Sequence, residues 1–368
     1  MVYLVTGGAG FVGARVVRRL LERGEVDRVV VLDLLTYAGD LGRLEESRDD
    51  PRLRFVHGDV ADRTLLEALF REHRPARVVH LAAETHVDRS VDDAEAFVRT
   101  NVVGTWALLE TARRFVAEDP GRAPGFRFVN VSTDEVYGSV PPDCAVDERA
   151  RLSPSSPYAA SKAGADHLVE AYRITHGLPV VHTFGANTYG PFQYPEKLVP
   201  LATLRALAGL DVPLYGDGAH ERDWVHVDDH ADAILAVADR AAPGTRWNVS
   251  GGAPRRNREV VEAVCDALDR LRPPSEDASL RVRGITRRAD LIRLAADRPG
   301  HDRRYAADSA RLRAELSWRP RVPFDEGLAG TVRWYFDHQG WCARVTEGRY
   351  DLGRLGLPPT VRGTGPVD

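Results

Sequence analysis

Short apolar, β-branched runs alternate with longer stretches of helical period over roughly the first 180 residues. Val2–Thr6, Arg28–Leu32, Leu53–His57, Arg77–Leu81 and Phe126–Ser132 have strand length and read as strands buried on both faces. Between them, Phe11–Arg23, Thr64–His73 and Phe97–Ala117 repeat apolar residues three and four apart, which predicts helices. Regular alternation of the two predicts an α/β fold, a doubly wound Rossmann-type parallel sheet, because each right-handed crossover returns the chain to the same sheet. Ligands of such a sheet collect at the carboxyl ends of its strands.

The first of those ends carries Thr6-Gly7-Gly8-Ala9-Gly10-Phe11-Val12-Gly13, with glycines three apart between strand and helix. Gly7 makes the tight turn, Gly10 lets a pyrophosphate approach the backbone, and Gly13 allows close packing of helix on strand. Twenty residues beyond Gly13, Asp33 stands at the tip of the second strand, where a carboxylate accepts from an adenosine ribose and disfavours a 2′-phosphate. NAD is therefore the expected cofactor. Gly58-Asp59-Val60 ends the third strand, where Asp59 either borders the adenine or caps the next helix. After the fourth strand, the small side chains of Leu81-Ala82-Ala83 let a cofactor lie against the sheet. After the fifth comes Ser132-Thr133-Asp134-Glu135, an apolar strand running into adjacent carboxylates, which is unfavourable unless they face a solvated or functional cleft.

Basic residues total 50, yet only two are lysines, Lys162 and Lys197. Where arginine serves nearly everywhere, a retained lysine suggests a site needing a compact ammonium. Lys162 lies four residues after Tyr158, on the same face of a predicted helix, close enough to favour a phenolate. Lys197 sits beside Leu198 at a helix start, where a cation opposes the dipole and is explained by an anionic ligand. Arg222, Arg298 and His301 add donors suited to a diphosphate.

The net charge of −4 gives no reason to expect nucleic acid or a membrane surface as partner. No apolar run reaches the ~18 residues of a spanning helix, and no secretory signal is apparent, so a cytoplasmic location is expected. Cys144, Cys265 and Cys342 lie outside any metal-ligand spacing, which predicts reduced thiols and no metal. The expected organisation is an NAD-binding domain with the Tyr158 helix over 1–184, a smaller substrate-binding region over 185–340, and an extended tail over 341–368.

Several motifs together carry a resemblance over residues 1 to 340: the glycine turn, Leu-Thr-Tyr-Ala-Gly at 35–39, His-Val-Asp-Arg-Ser at 86–90, Ser-Thr-Asp-Glu-Val-Tyr-Gly at 132–138 and Ser-Pro-Tyr-Ala-Ala-Ser-Lys at 156–162. Pro-Glu-Lys-Leu-Val-Pro at 195–200, Arg-Asp-Trp at 222–224 and Asp-Arg-Pro-Gly-His-Asp-Arg-Arg-Tyr at 297–305 extend it. The chain resembles the extended short-chain dehydrogenase/reductase family, and within it the dTDP-glucose 4,6-dehydratases. The resemblance implies that Leu34, Thr36, Thr100 and Thr188 join the cofactor contacts. It also implies that Thr85, His86, Asn187, Leu198, Pro213, Tyr215, Asn257 and Tyr305 join Thr133, Lys197, Arg222, Arg298 and His301 around a nucleotide sugar. A homodimer paired through helices at Ala94–Ala117 and Tyr158–His176 is implied too.

The resemblance implies a lyase that dehydrates dTDP-glucose by an internal hydride loop. Tyr158 and Thr133 act on the 4-hydroxyl, Glu135 on the C5 proton and Asp134 on the departing 6-hydroxyl, while Lys162 supports Tyr158. A 4-epimerase or decarboxylase would retain NAD, Tyr158 and Lys162, and a non-catalytic dinucleotide sensor would need neither those two nor the acid pair; Asp134-Glu135 points to dehydration. One departure stands out: Gly185-Ala186-Asn187-Thr188 replaces the Cys-Ser-Asn-Asn usual in the related dehydratases, with a shift in cofactor grip or sugar-nucleotide preference as the expected consequence.

Overall fold

The computed structural model describes residues 1–353; residues 354–368, the greater part of the expected tail, lie outside the described residues. Seven strands form the main sheet: β1 (Val2–Thr6), β2 (Arg28–Asp33), β3 (Leu53–His57), β4 (Arg77–His80), β5 (Arg127–Thr133), β6 (Val180–Gly185) and an edge strand, Arg246–Val249. From that edge the order is Arg246–Val249, β6, β5, β4, β1, β2, β3, every pair parallel. The winding reverses between β1 and β4, so a crevice opens above their carboxyl ends, where Thr6 and His80 stand in register.

An apolar layer covers each face. On one, α1 (Phe11–Leu21) and the helix Val227–Arg240 pack through Val16, Val17, Leu20, Ile234 and Leu235. On the other, α2 (Arg63–His73) and the helices Thr105–Ala117 and Pro157–His176 contribute Leu66, Phe70, Leu108, Phe115 and Val169. Each such side chain contributes about 1.5–3 kcal/mol relative to exposure, so packing rather than helix propensity fixes these elements.

After residue 185 the chain builds two things. Val227–Arg240 and Arg246–Val249 return to the main sheet. Leu198–Leu207, Asn257–Leu271 and Phe324–Asp337 pack on one another around a separate cluster that includes Val199, Val260, Val264, Leu268 and Leu328. Beside it, Val212–Tyr215 pairs with Ile292–Ala295, and Asn187–Tyr189, directly after β6, pairs with Trp224–His226.

Two expectations change. The helix predicted over Phe97–Ala117 is interrupted: Val98–Gly104 winds as wider π-helical turns before Thr105–Ala117. In these turns Asn101 accepts from the Glu84 N–H at 2.9 Å and donates to the Glu84 carbonyl at 3.0 Å, contacts that no apolar periodicity reveals. The extended tail expected from 341 starts instead inside a helix, Gln339–Thr346, because Cys342 is buried on one of its faces against Leu204 and Tyr335. Trp341 Nε1 donates to Asp40 at 2.8 Å, and the Asp40 N–H donates to the Ala9 carbonyl at 3.1 Å. This last helix thereby holds the loop after β2 against the glycine turn.

Candidate active site

Steric necessity explains two glycines of the first turn. Gly7 has φ +70°, and a Cβ there would lie 2.6 Å from the Ala82 nitrogen; a Cβ on Gly13 would lie 2.1 Å from the Gly7 carbonyl oxygen. Gly10 stands at the N-cap of α1 with no side-chain cap, so the first-turn N–H groups have no side-chain partner and suit an anion. Asp33 holds the turn to the sheet: Oδ2 accepts from the Ala9 N–H at 2.9 Å and Oδ1 from the Leu35 N–H at 2.8 Å. Burial pushes its carboxyl up while these two donors pull it down.

A groove of about 320 Å³ runs from this turn across the crevice. Every residue expected at the cofactor lines it: Gly7, Gly10, Phe11, Val12, Gly13, Asp33, Leu34, Thr36, Asp59, Val60, Leu81, Ala82, Ala83, Thr100, Tyr158, Lys162 and Thr188. Asp59 also pairs with Arg99 at 2.9 Å, and the capping of α2 falls to Asp62, which accepts from the Leu65 N–H at 3.1 Å. A cradle that a Cβ at 7 or 13 would fill, an uncapped helix start and an acid at the second strand tip fit a dinucleotide.

Thr133, Asp134, Glu135, Tyr158 and Lys162 line the same groove. Thr133 ends β5 and caps a single tight turn, Asp134–Tyr137, by accepting from the Glu135 N–H at 3.3 Å. Asp134 is only 2% exposed and its Oδ2 has no hydrogen-bond partner. Burial, then the neighbouring charges of Glu135 and Asp223, hold its carboxyl well above the usual carboxylate range, with Arg222 opposing. This is the environment of a carboxylic acid that keeps its proton.

Tyr158 and Lys162 sit on the buried face of Pro157–His176, whose start is fixed by Ser156 Oγ accepting from the Ala159 N–H at 3.1 Å. Lys162 Nζ donates to the Val131 carbonyl at 2.8 Å; burial pushes its ammonium down and Asp166 supports it. Burial, then Glu135, raises the Tyr158 phenol, and a hydrogen bond with Thr133 works the other way. The protein's own groups therefore keep the phenol protonated at neutral pH.

A buried polar network, not anticipated from sequence, stands behind this helix. Asn101 donates to Ser161 Oγ at 2.8 Å, and Ser161 donates to the Tyr158 carbonyl at 2.7 Å. His80 links Thr6 Oγ1 at 2.7 Å to Thr105 Oγ1 at 2.9 Å, and burial pushes its imidazole down to about 3, so it is a neutral bridge. A lone asparagine amid Val98, Val102 and Val103 was the available signal.

The residues expected at the substrate divide. Thr85, Thr133, Asn187 and Lys197 line the groove. His86 caps the next helix, Val87–Asp92, through the Arg89 N–H at 3.3 Å. Lys197 Nζ donates to the Thr85 carbonyl at 2.8 Å, and burial pushes its ammonium down. Tyr305 joins the groove to a basic cluster: its hydroxyl lies 3.4 Å from Glu135 Oε2 and its ring lies 4.1 Å from the Arg222 guanidinium. Arg298 and Tyr215 both donate to Asp88, at 2.9 and 2.7 Å. His301 is held by Asp297 at 2.6 Å and stacked on His220 at 3.7 Å, while the Asn257 N–H donates to the His220 carbonyl at 2.8 Å. Leu198 packs with the C-terminal apolar cluster, and Pro213 stands opposite Arg293 in its strand; neither lines the groove.

A doubly wound sheet whose glycine-turn groove ends at a buried tyrosine, lysine and carboxylic acid defines an extended short-chain dehydrogenase/reductase enzyme. A sequence profile described as GDP-mannose 4,6 dehydratase matches residues 4–331, and the chain belongs to that family. It is 47% identical over 355 residues to a dTDP-glucose 4,6-dehydratase of Neisseria meningitidis serogroup B, covering 96% of this chain and 98% of the relative. It is 44% identical to one from Escherichia coli, covering 97% and 99%. Among solved structures, the DesIV dTDP-glucose 4,6-dehydratase of Streptomyces venezuelae, crystallised with NAD bound, is similar with a TM-score of 0.84 at 44% identity, covering 94% of this chain and all of that one. A UDP-glucose 4-epimerase of Thermus thermophilus, in complex with NAD, has a TM-score of 0.77 at 33% identity, covering 92% and 100%.

Proposed function

We propose that this chain is a lyase that dehydrates dTDP-glucose to dTDP-4-keto-6-deoxyglucose and water, with NAD held along the groove from the glycine turn to Tyr158. The observation that carries the reading is the convergence of Thr133, Asp134, Glu135, Tyr158 and Lys162 on one groove, with Asp134 buried as an acid. Bound there, NAD supplies a positively charged ring that accepts hydride from sugar C4 and returns it at C6, leaving the cofactor unchanged over a turnover. Tyr158 and Thr133 would hold the 4-hydroxyl; the protein alone keeps the Tyr158 phenol protonated, but a positively charged nicotinamide bound beside it would favour the phenolate, which takes the hydroxyl proton. The resulting ketone acidifies C5, from which Glu135 takes a proton. Asp134 gives its proton to the 6-hydroxyl, which leaves as water. Glu135 then returns its proton to C5, and Tyr158 gives up the hydroxyl proton as Asp134 regains one through solvent, which restores the site. Lys162 holds the end of the tyrosine helix to β5, and Asn101 with Ser161 fixes the Tyr158 backbone.

Three cations near the sugar end, buried Arg222 and half-buried Arg298 and Lys197, suit the diphosphate of the substrate. The substrate side falls mainly to residues 185–340, with Val227–Val249 given back to the sheet that binds NAD. Val98, Val103 and Trp106, exposed at 50%, 41% and 39%, support pairing of two copies through the Ala94–Ala117 segment into a homodimer. Among the described residues no helix is long and apolar enough to cross a membrane, and a cytoplasmic location follows from the nature of the substrate. Mass spectrometry of the product from dTDP-glucose tests the reading: one water fewer is expected, with no external reductant. Comparison with other sugar nucleotides then tests the preference; faster dehydration of a different nucleotide or hexose would replace dTDP-glucose as the substrate.

A further inference from the structure

The departure at 185–188 is filled from another part of the chain. A Cβ on Gly185 would lie 2.4 Å from Cε1 and 2.6 Å from Nε2 of His230, so this imidazole stands where a side chain at 185 would otherwise project. Gly185 is in register with Thr133 at the reacting end of the groove, and His230 lines that groove with Gly185, Ala186, Asn187 and Thr188. Thr188 Oγ1, at 2.7 Å, fixes the ring through Nδ1. Nε2 is buried and has no hydrogen-bond partner, and the whole residue is 5% exposed. A polar nitrogen so placed is unfavourable unless something entering the groove meets it.

We propose that His230 is a positioning residue for the cofactor, its Nε2 hydrogen-bonding the carboxamide of the nicotinamide, with Thr188 setting the ring and Gly185 leaving it room. The inference rests on NAD occupying this groove. Burial pushes His230 down to about 4, so the ring is neutral at working pH and does not repel a cationic nicotinamide. A neutral imidazole with one nitrogen committed to Thr188 has one remaining site, matching a single hydrogen bond to the carboxamide. The same space explains how a glycine at 185 is accommodated without leaving a void.

The test compares binding of NAD and of ADP-ribose, which lacks the nicotinamide, to protein stripped of bound nucleotide, by calorimetry. In His230→Ala, affinity for NAD is expected to fall by about three- to tenfold, the effect of one neutral hydrogen bond, with ADP-ribose essentially unchanged. His230→Gln, whose amide extends toward the Nε2 position, should recover most of the loss. If His230→Ala does not fold, Thr188→Val, which releases the ring but keeps it in place, should lower NAD affinity selectively by a smaller factor. Equal weakening of both ligands, or no change in either, overturns the proposal while the groove stands as the NAD site. A rise in KM for dTDP-glucose with an unchanged NAD to ADP-ribose ratio overturns it too, placing the nitrogen on the sugar. Failure of the unmodified protein to bind either nucleotide removes the underlying functional reading as well.

Discussion

The two ends of the groove are built on opposite principles. At the dinucleotide end the turn is tied down mainly by the protein itself: both Asp33 oxygens accept backbone N–H groups and Arg43 donates to the Ala9 carbonyl at 3.0 Å, while Arg43 Nη2 and the first-turn N–H groups of α1 have no side-chain partner. At the sugar end buried polar atoms have no hydrogen-bond partner in the protein: Asp134 Oδ2, Asn187 Oδ1, Asn257 Oδ1 and Arg298 Nε. The first end is a rigid mould shaped by backbone; the second is a set of desolvated groups whose pairing is completed by substrate. Stability is therefore concentrated at one end and chemistry at the other, since an unpaired buried polar group costs about 1–3 kcal/mol.

Changes that strike the chemistry of the sugar end should be the largest. Glu135→Gln should lower turnover by about 10²- to 10⁴-fold while C4 oxidation proceeds, so reduced nicotinamide accumulates on the enzyme and is seen by its absorbance; full turnover would remove Glu135 from the C5 step. At the mould end, Gly13→Val pushes a side chain into the Gly7 carbonyl, with about 1–3 kcal/mol of overpacking, and should lower both thermal stability and NAD affinity. If NAD binds normally to that variant, the turn is not the cradle. Arg298→Met should raise KM for dTDP-glucose roughly tenfold, in the range of a charge-assisted hydrogen bond, with kcat little changed.

A smaller effect sharpens the contrast through pH. Asp134 has a folded pKa raised above its unfolded value of about 3.9, so the stability of its protonated form is complete below that value and is lost as pH rises through the folded pKa. Asp134→Asn should accordingly show no gain in unfolding midpoint near pH 4 and a growing gain toward neutrality, together with lost activity. The smallest expected effect is Asp33→Asn, about tenfold or less in NAD affinity, because the adjacent backbone contacts hold the turn in place; abolition of binding would show that the carboxylate, not the mould, holds the ribose.

What sequence alone reveals follows the same division. The glycine turn, Asp33 and the Tyr158–Lys162 pair are legible because backbone geometry demands particular residue types at fixed local spacing. Asn101 was hidden inside an apolar helical pattern, since its role depends on a π-helical turn and on Glu84, distant in sequence. His230 was hidden because its meaning lies in the missing side chain of Gly185, which no local pattern couples to it. Tyr158 teaches a further lesson: helical spacing brings Lys162 near, and only the fold reveals that one of the ammonium's N–H groups is held by the Val131 carbonyl.

The link from Trp341 through Asp40 to Ala9 has a practical corollary for anyone shortening or tagging this enzyme. A truncation that stops before Trp341 removes none of the described residues that line the groove, yet it unlatches the cover of the phosphate-binding turn, so preparations ending there should shed their cofactor during purification.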